Sequence, residues 1–396
     1  MNKNIVILFL GLFAAYLGQS ILSPVFSPLV REMGLSEFHG GLILSAAALM
    51  WAIASPFWGK RSEKWGRKPV FIIGLFGYGV ASLLFGYFSG CGLKGLIPPL
   101  SLLLLLMLSR VMVGLLLSGS PTSALAYVAD VTEGKERTKS IAFISAAMGL
   151  GTILGPAFGA AVVRFGLVAP IYFAALIAIF GGIISCVFLK PSEDRIPQDR
   201  SLSLSPTDKR IRSYLLIGFF MYLTLSITQI VVGFYFQDRL SLTAQVTAEK
   251  VGGAFVLKGI AVVFTQMWLV RIIKATPIKL IKIGLPIVLV SIICFIWGSS
   301  YGVLMMAMVL MGFGIGFVQP GFYSATSFAV TEDEQGAVAG LSSSALALSS
   351  VLGQSLGGAF YQVSSILPFI ISTIILCISM ALVFLHKVEK EHVLGK

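Results

Sequence analysis

Residues 59–68, G-K-R-S-E-K-W-G-R-K, carry five basic side chains in ten positions. Long apolar runs precede and follow this segment. So much charge is costly to place in hydrocarbon, so the segment is expected at a membrane surface, where two spanning segments meet. It therefore predicts an integral membrane protein and marks one of its faces.

The composition supports this prediction. Of the 396 residues, 57% are hydrophobic and 12% are charged, whereas a soluble domain carries roughly 25% charged residues. Apolar runs of about 20 residues recur along the chain, and each is long enough to cross a bilayer as a helix. We therefore predict an all-α integral membrane protein with twelve transmembrane helices. The predicted spans are residues 5–30, 40–58, 70–89, 100–129, 140–163, 166–189, 213–237, 251–270, 280–299, 302–329, 337–361 and 364–385.

The basic residues are distributed unequally between the two predicted faces. With the amino terminus assigned to the cytoplasm, 22 of the 29 lysines and arginines fall on that side. Such a bias predicts a multi-pass protein of the cytoplasmic (inner) membrane with both termini cytoplasmic. It also accounts for the net charge of +12 without a nucleic-acid partner. The 22 residues lie at position 3 and in segments 60–68, 135–139, 190–212, 271–282 and 387–396.

One long polar segment, residues 190–212, divides six predicted spans from six. We interpret it as a cytoplasmic linker between an N-terminal half, residues 1–189, and a C-terminal half, residues 213–396. Residues 121–133 and 320–332 both begin with proline and end in V-T-E, 199 positions apart. Repeated halves of this kind enclose a substrate cavity at their interface near the middle of the membrane.

Two further matches connect the halves. The motif G-P-A-F-G at Gly155 corresponds to G-Q-S-L-G-G at Gly353, and G-L-F at Gly11 corresponds more weakly to G-F-F at Gly218. The second match sets Arg31 and Glu32 opposite Asp238 and Arg239 at the outer ends of spans 1 and 7.

The basic segment also resembles the loop signature of the major facilitator superfamily, which reads Gly, three residues, Asp, two residues and Gly-Arg-Lys or Gly-Arg-Arg. The matching positions are Gly59, Glu63, Gly66, Arg67 and Lys68, with glutamate in place of aspartate. The glycines allow a tight turn, and the glutamate is expected to pair with basic neighbours. The resemblance implies the major facilitator fold, with six helices in each half. The alternative is an ordinary basic loop.

Two residues of span 4 extend the resemblance. Arg110, followed by Gly114, is similar to the second signature of the family. Asp130 matches a position that pairs with the basic loop in related transporters. This implies a contact between Arg67 and Asp130 that closes the cytoplasmic side and breaks as the halves rock. The alternative is that Asp130 is a solvated helix end.

Span 5 carries the pattern G-x-x-x-G-P-x-x-G at Gly151, Gly155, Pro156 and Gly159. Small residues four positions apart allow two helix backbones to approach closely, and proline removes one backbone donor. The pattern resembles the antiporter signature of drug-efflux members. It implies export through the twelve-span drug:proton antiporter branch, with the proton gradient as the energy source and no other cofactor.

The charged residues inside the predicted spans are both basic. Arg110 and Lys258 lie mid-span, whereas the acidic residues fall at or beyond the span ends. A buried charge is costly unless it faces a cavity or a partner. The two cations therefore predict a positive cavity that favours anionic or zwitterionic substrates, although Lys258 could instead extend to the membrane surface. Other polar residues either line this cavity or form ordinary hydrogen bonds between helices, namely Gln19, Tyr127, Gln229 and Gln319, together with Tyr16, Gln266 and Tyr323.

These patterns predict a proton-coupled exporter of small organic molecules, acting as a monomer in the lipid bilayer. Two substrate classes compete, namely a broad range of amphipathic drugs and a polycarboxylate metabolite such as a siderophore. A non-transporting membrane sensor is the alternative of another class. The sequence contains no nucleophile–base or metal-binding pattern, so neither an enzyme nor a metal site is predicted. It leaves open whether Asp130, Glu32, Asp238, His39 or Lys258 carries the proton.

Overall fold

A computed structural model of the protein describes residues 2–191, 204–273, 275–331 and 334–385. Within these ranges, twelve helices are long and apolar enough to cross a membrane. They are α1 Lys3–Glu32, α2 Glu37–Trp65, α3 Arg67–Leu93, α4 Pro99–Val131, α5 Gly134–Phe165, α6 Ala169–Phe188, α7 Arg212–Arg239, α8 Ala244–Ile273, α9 Pro277–Trp297, α10 Tyr301–Phe328, α11 Gln335–Val363 and α12 Leu367–Phe384.

Three helices contain local irregularities. A turn at Ser118 divides α4, the last three residues of α5 form a 3₁₀ turn, and a π-helical turn interrupts α8 at Thr265–Leu269. A π turn inserts one extra residue into a helix turn and redirects the side chains beside it. In α8 it changes the direction of Gln266, one of the polar residues singled out by the sequence.

The basic segment differs from its prediction as a loop. Helix α2 continues to Trp65 and α3 begins at Arg67, so Gly66 alone separates them. Gly66 has a φ of +89°, a conformation open to glycine at little cost. A helix satisfies its own backbone hydrogen bonds outside the membrane as well as inside. For this reason the end of the apolar run did not mark the end of the helix.

The described end of the predicted linker is bound to the C-terminal half. Residues 192–203 lie outside the described ranges, as do the predicted cytoplasmic residues 387–396. Arg210 Nη2 lies 2.8 Å from Asp208 Oδ2 and 2.9 Å from Glu334 Oε1, directly before α11. The hydrogen bonds from Arg210 lower the pKa of the Glu334 carboxyl to about 2. This triad holds the start of α7 beside the start of α11.

Close backbone contact between α1 and α5 organises the first half. A Cβ atom added at Gly155 would lie 2.6 Å from Leu17 O and 2.9 Å from Ile21 N. The hydroxyl of Ser20 in α1 donates a hydrogen bond to Gly151 O at 2.8 Å. Small residues at these positions therefore let the helix backbones touch, as the glycine spacing predicted.

The same contact recurs between α7 and α11. A Cβ atom added at Gly353 would lie 2.9 Å from Leu223 O and 3.2 Å from Ile227 N. Gly353 follows Gly155 by 198 positions, and Leu223 follows Leu17 by 206. The halves thus repeat one helix-packing arrangement.

The repeat corrects one sequence match. Pairing Gly11 with Gly218 implied an offset of 207, whereas the contacts of α1 and α7 give 206. Arg31 therefore corresponds to Gln237 and Glu32 to Asp238. The match of G-L-F to G-F-F was wrong by one residue because a three-residue apolar motif does not fix helix register, whereas backbone contacts do.

The polar contacts between the two halves lie toward one side of the membrane. We call the side that carries residues 60–68 the basic face, and the side where α1 ends the opposite face. In the described part of the chain, the hydrogen bonds and ion pairs that join the halves link α1 with α7 and α2 with α11. They involve residues between the middle and the opposite face, namely Ser27–Ile230, Arg31–Gln237, Arg31–Asp238, Ser45–Val351 and Ser45–Ser355. The protein is thus closed at the opposite face and open at the basic face.

We expect Gly155→Ala to destabilise the protein by about 1–3 kcal/mol, the usual cost of overpacking, because its methyl group would meet Leu17 O. Gly149→Ala, on the same helix, is the matched control, since a Cβ atom there meets nothing within 4 Å. Thermal unfolding of the purified variants in detergent would test this difference. Equal midpoints for the two variants would contradict the proposed contact.

Candidate functional site: a cavity of two compartments

A cavity of about 1000 Å³ lies between α1 and α5 of the first half and α7, α8 and α10 of the second. Lys258 is the only charged residue among the described residues that line it. The polar residues of its wall are Ser20, Ser23, Ser145, Thr152, Tyr222, Gln229, Gln266, Gln319 and Tyr323. We call this space the larger compartment, and its wall combines one cation with neutral hydrogen-bonding groups.

The backbone of Lys258 packs against α10, and its side chain has no acidic partner within the described ranges. The backbone of α10 approaches it closely, since a Cβ atom at Gly312 would lie 3.1 Å from Lys258 C. Its ammonium lies 5.4 Å from the centre of the Phe255 ring, a weak cation–π contact. The cation therefore faces the compartment without a neutralising charge.

The position of Lys258 along α8 favours the cavity over the membrane surface. The predicted span began at residue 251, but α8 begins at Ala244 and ends at Ile273. Lys258 is thus near the middle, about 21 Å from the start of the helix at 1.5 Å per residue. A lysine side chain is far shorter than this distance.

A second cavity of about 400 Å³ adjoins the first and has Ser20, Ser23, Thr152 and Gln229 in common with it. It lies between α1, α2, α4 and α5 of the first half and α7 and α11 of the second. We call it the smaller compartment. Its charged residue, among those described, is Arg110.

Arg110 is deeply buried, with 6% of its surface exposed. Its guanidinium carbon lies 4.1 Å from the centre of the Phe85 ring, and its Nε has no hydrogen-bond partner. No carboxylate among the described residues lines either compartment. Two cations thus lie in adjoining compartments at the interface of the halves.

The structure distributes the predicted polar residues between these compartments. Gln19 and Tyr16 line the smaller one, and Gln229 lines both. Gln319, Gln266 and Tyr323 line the larger one, where Gln266 Nε2 lies 3.3 Å from Gln319 Oε1.

Tyr127 is an exception, and its assignment to the cavity is corrected. It lines neither compartment. It is buried within the first half, and its hydroxyl donates a hydrogen bond to Lys190 O at 2.9 Å. A tyrosine near the end of a span satisfies its hydroxyl with the backbone as readily as with a ligand. Sequence reasoning also missed Trp51, Tyr222 and Gln354, although Gln354 stands within the G-Q-S-L-G-G motif.

The contact between Arg67 and Asp130 is present, but its geometry does not fit an inner gate. Arg67 Nε lies 2.9 Å from Asp130 Oδ2, and Arg67 Nη1 lies 2.6 Å from Ser62 Oγ. These residues lie on α2, α3 and α4, all in the first half, and the contact is formed while the basic face is open. The expectation that it closes that face is therefore wrong. The contact instead joins helices within one half.

The other residues of the basic signature have simpler surroundings. Glu63 is exposed at the end of α2 and forms no ion pair with a described residue, so the expected pairing with its basic neighbours is not present. Lys68 lies in the first turn of α3. Gly59 packs near Thr122 of α4, since a Cβ atom there would lie 3.7 Å from the threonine methyl.

A charged cluster closes the opposite face. Arg31 of α1 binds Glu37 of α2 through Nη2 at 2.7 Å and reaches across to Asp238 of α7, whose Oδ2 lies 2.8 Å from the same nitrogen. Tyr361 of α11 donates a hydrogen bond to Asp238 Oδ2 at 2.8 Å. The guanidinium carbon also lies 5.1 Å from the centre of the Phe234 ring. We call these five residues the outer clamp, because they connect four helices from both halves.

The chain belongs to the Major Facilitator Superfamily, whose family model matches residues 8–353 and 215–395. Multidrug resistance protein 2 of Bacillus subtilis is 26% identical to it, over 98% of this chain and 96% of that protein. Quinolone resistance protein NorA of Staphylococcus aureus is 25% identical, over 99% and 98%. The sequence resemblance to the drug:proton antiporter branch agrees with these relatives.

Solved structures share the fold. A bacterial homolog to the human lysosomal transporter Spinster, inward-facing and occupied, matches with a TM-score of 0.77 and 14% identity, over 96% of this chain and 95% of that one. The human organic anion transporter MFSD10 matches with a TM-score of 0.67 and 20% identity, over 96% and 98%. The predicted fold, a major facilitator with twelve transmembrane helices, is confirmed.

We expect Asp238→Asn to loosen the opposite face. A reporter cysteine at Ser27, which is buried below the clamp, would then react faster with a membrane-impermeant maleimide added from that face. Partly exposed ion pairs contribute about 0.2–1 kcal/mol, so an increase of about 1.4- to fivefold is expected. The four natural cysteines must first be replaced.

Asp208→Asn is the matched control, because Asp208 pairs with Arg210 away from the clamp. Tyr361→Phe should have a smaller effect than Asp238→Asn, since it removes a hydrogen bond and leaves the ion pair. Unchanged labelling in Asp238→Asn would show that the clamp does not hold this face closed.

Proposed function

We propose that the protein exports small anionic or zwitterionic organic molecules across the cytoplasmic membrane, driven by the proton gradient. The observation that carries this proposal is Lys258, a cation near the middle of the membrane that lines the larger compartment. A carrier of lipophilic cations would benefit from a carboxylate there, and none of the described lining residues is acidic. A desolvated cation attracts anions strongly because little water screens it.

The positive-inside rule supports the proposed orientation, in which the basic face is cytoplasmic and both termini lie on that side. In this orientation the cavity is open to the cytoplasm and the outer clamp is formed. A substrate would enter from the cytoplasm, and the halves would rock about the bound molecule. Rocking requires the outer clamp to open, while the contact between Arg67 and Asp130 moves with the first half as a unit.

Two observations support export over uptake. Relatives of similar length are described as multidrug and quinolone resistance proteins. The glycines of α5, which resemble the antiporter signature, form the closest contact between α1 and α5. Since α1 contributes to both compartments, this contact positions the cavity wall. Coupling to protons is part of the proposal and rests on the resemblance alone.

The substrate class follows from the charges of the cavity. Lys258 and Arg110 favour a carboxylate-bearing metabolite, such as a polycarboxylate siderophore, over a broad range of cationic drugs. The apolar wall, which includes Phe255, Val262, Val263 and Met267, would accommodate an apolar portion of the same molecule. A non-transporting sensor, the alternative of another class, would bind such a molecule without moving it.

Transport in everted membrane vesicles, whose outer surface is the cytoplasmic face, tests the proposal. With an imposed proton gradient, we expect uptake of carboxylates from a panel that runs from citrate to carboxyfluorescein, and little uptake of ethidium. Lys258→Gln should lower anion uptake about tenfold, because a hydrogen bond to a charged group contributes about 1.5–3 kcal/mol. Lys258→Arg should preserve part of the uptake.

Lys250→Gln is the matched control on the same helix, since that ammonium lies over the Tyr301 ring and lines neither compartment. Uptake of ethidium that is insensitive to Lys258→Gln would identify a cation exporter and overturn the proposed specificity. Binding of anions without gradient-driven uptake would favour the sensor.

A further inference from the structure

The smaller compartment contains two buried polar atoms that have no hydrogen-bond partner. One is Nε of Arg110 on α4, a donor, and the other is Oε1 of Gln354 on α11, an acceptor. They belong to opposite halves of the protein. A buried polar atom without a partner is costly, and more so when it belongs to a charged group.

No ion pair with a described residue compensates the buried charge of Arg110. It forms no hydrogen bond with a described residue, and its cation–π contact with Phe85 replaces only part of the lost hydration. An unpaired cation with 6% of its surface exposed would be better stabilised by an anion with two oxygens, since a guanidinium offers parallel N–H groups to a carboxylate.

Gln354 adds a second requirement for the ligand. Its side-chain oxygen has no partner and is free to accept a hydrogen bond, so a complementary ligand carries a hydroxyl or ammonium group as well as a carboxylate. The remaining wall supports such a ligand, because Gln19 and Gln229 offer further hydrogen bonds and Trp51 offers an apolar surface. At about 400 Å³, the compartment has the size of a small-molecule site.

We propose that the smaller compartment is a binding subsite for an α-hydroxy or α-amino carboxylate group of the transported molecule. Arg110 binds the carboxylate, and Gln354 accepts a hydrogen bond from the neighbouring hydroxyl or ammonium. The assignment deepens the proposed function and rests on it for the statement that the ligand is transported, whereas binding itself is independent of transport.

The subsite has a consequence for the mechanism. Its ligand would connect α4 of the first half with α11 of the second, at the depth of the contacts between Ser45 and α11, since Gln354 lies between Val351 and Ser355. Occupation would therefore add an attraction between the halves at a depth where they already meet. A second anionic group of the same molecule would lie in the adjoining larger compartment, near Lys258.

Binding to the full-length protein in lipid nanodiscs, without a gradient, tests the subsite. The probes are phenyllactate, which has a carboxylate and a hydroxyl, 3-phenylpropionate, which lacks the hydroxyl, and phenyllactamide, which lacks the charge. Trp51 lines the compartment and reports occupation through its fluorescence, and Trp51→Phe identifies the part of the signal that belongs to this site.

Phenyllactate should bind most tightly and phenyllactamide least. Arg110→Gln should weaken both carboxylates at least tenfold and leave phenyllactamide unchanged, whereas Lys250→Gln should change none of the three. Gln354→Leu should lower the affinity for phenyllactate to that for 3-phenylpropionate. If Arg110→Gln does not fold, Arg110→Lys serves instead and should weaken the carboxylates while preserving their advantage over the amide.

Equal binding of the acid and the amide, or no signal that depends on Trp51, would overturn the subsite. These outcomes are separate from the failure of the proposed function. If the probe contrasts hold but no anion is transported, the subsite stands and the export proposal fails. If export of anions requires Lys258 but Arg110→Gln leaves probe binding unchanged, the export proposal stands and the subsite fails.

Discussion

A charge near the middle of a membrane must face water, an opposite charge or a ligand, because hydrocarbon provides none of the hydration that the ion loses. Arg110 and Lys258 have no acidic partner among the described residues, and each lines a compartment between the halves. The cavity and its cations thus depend on each other. The cations are tolerable because the halves separate toward the basic face, and the space between the halves acquires its positive character from them.

Close glycine contacts build each half and also join the two halves. Within a half, glycines bring helix backbones together over several turns, as Gly155 does against Leu17 and Gly353 against Leu223. Such packing is rigid, since any added atom would clash. Between the halves, Gly41 meets Gln354 O and Gly358 meets Glu37 O in the same way. Hydrogen bonds and the partly exposed pair of Arg31 and Asp238 add to this packing near the opposite face, although each such pair contributes little by itself.

Two ion pairs differ in whether they lie within one half or join the two halves. Arg67 and Asp130 lie in the same half, so relative motion of the halves neither forms nor breaks their contact. Arg31 and Asp238 lie in different halves, so the same motion must separate them. The contact between Arg67 and Asp130 therefore stabilises the first half. The contact that relative motion of the halves would break is that of Arg31 with Asp238, at the opposite face. Sequence reasoning expected the contact between Arg67 and Asp130 to break as the halves move, because it knew only which charges share a face.

The sequence by itself determined the fold class and the twelve spans, because the apolar length of a segment is a local property that decides whether it can cross the bilayer. It also identified Arg110, Lys258, Gln19, Gln229 and Gln319, since mid-span polar residues are rare enough to stand out. Only the tertiary structure decided which of them face the cavity, that Tyr127 does not, and that Gln354 opposes Arg110 across the interface. Those facts depend on helix rotation and register, and contacts between residues about 130 to 310 positions apart set both.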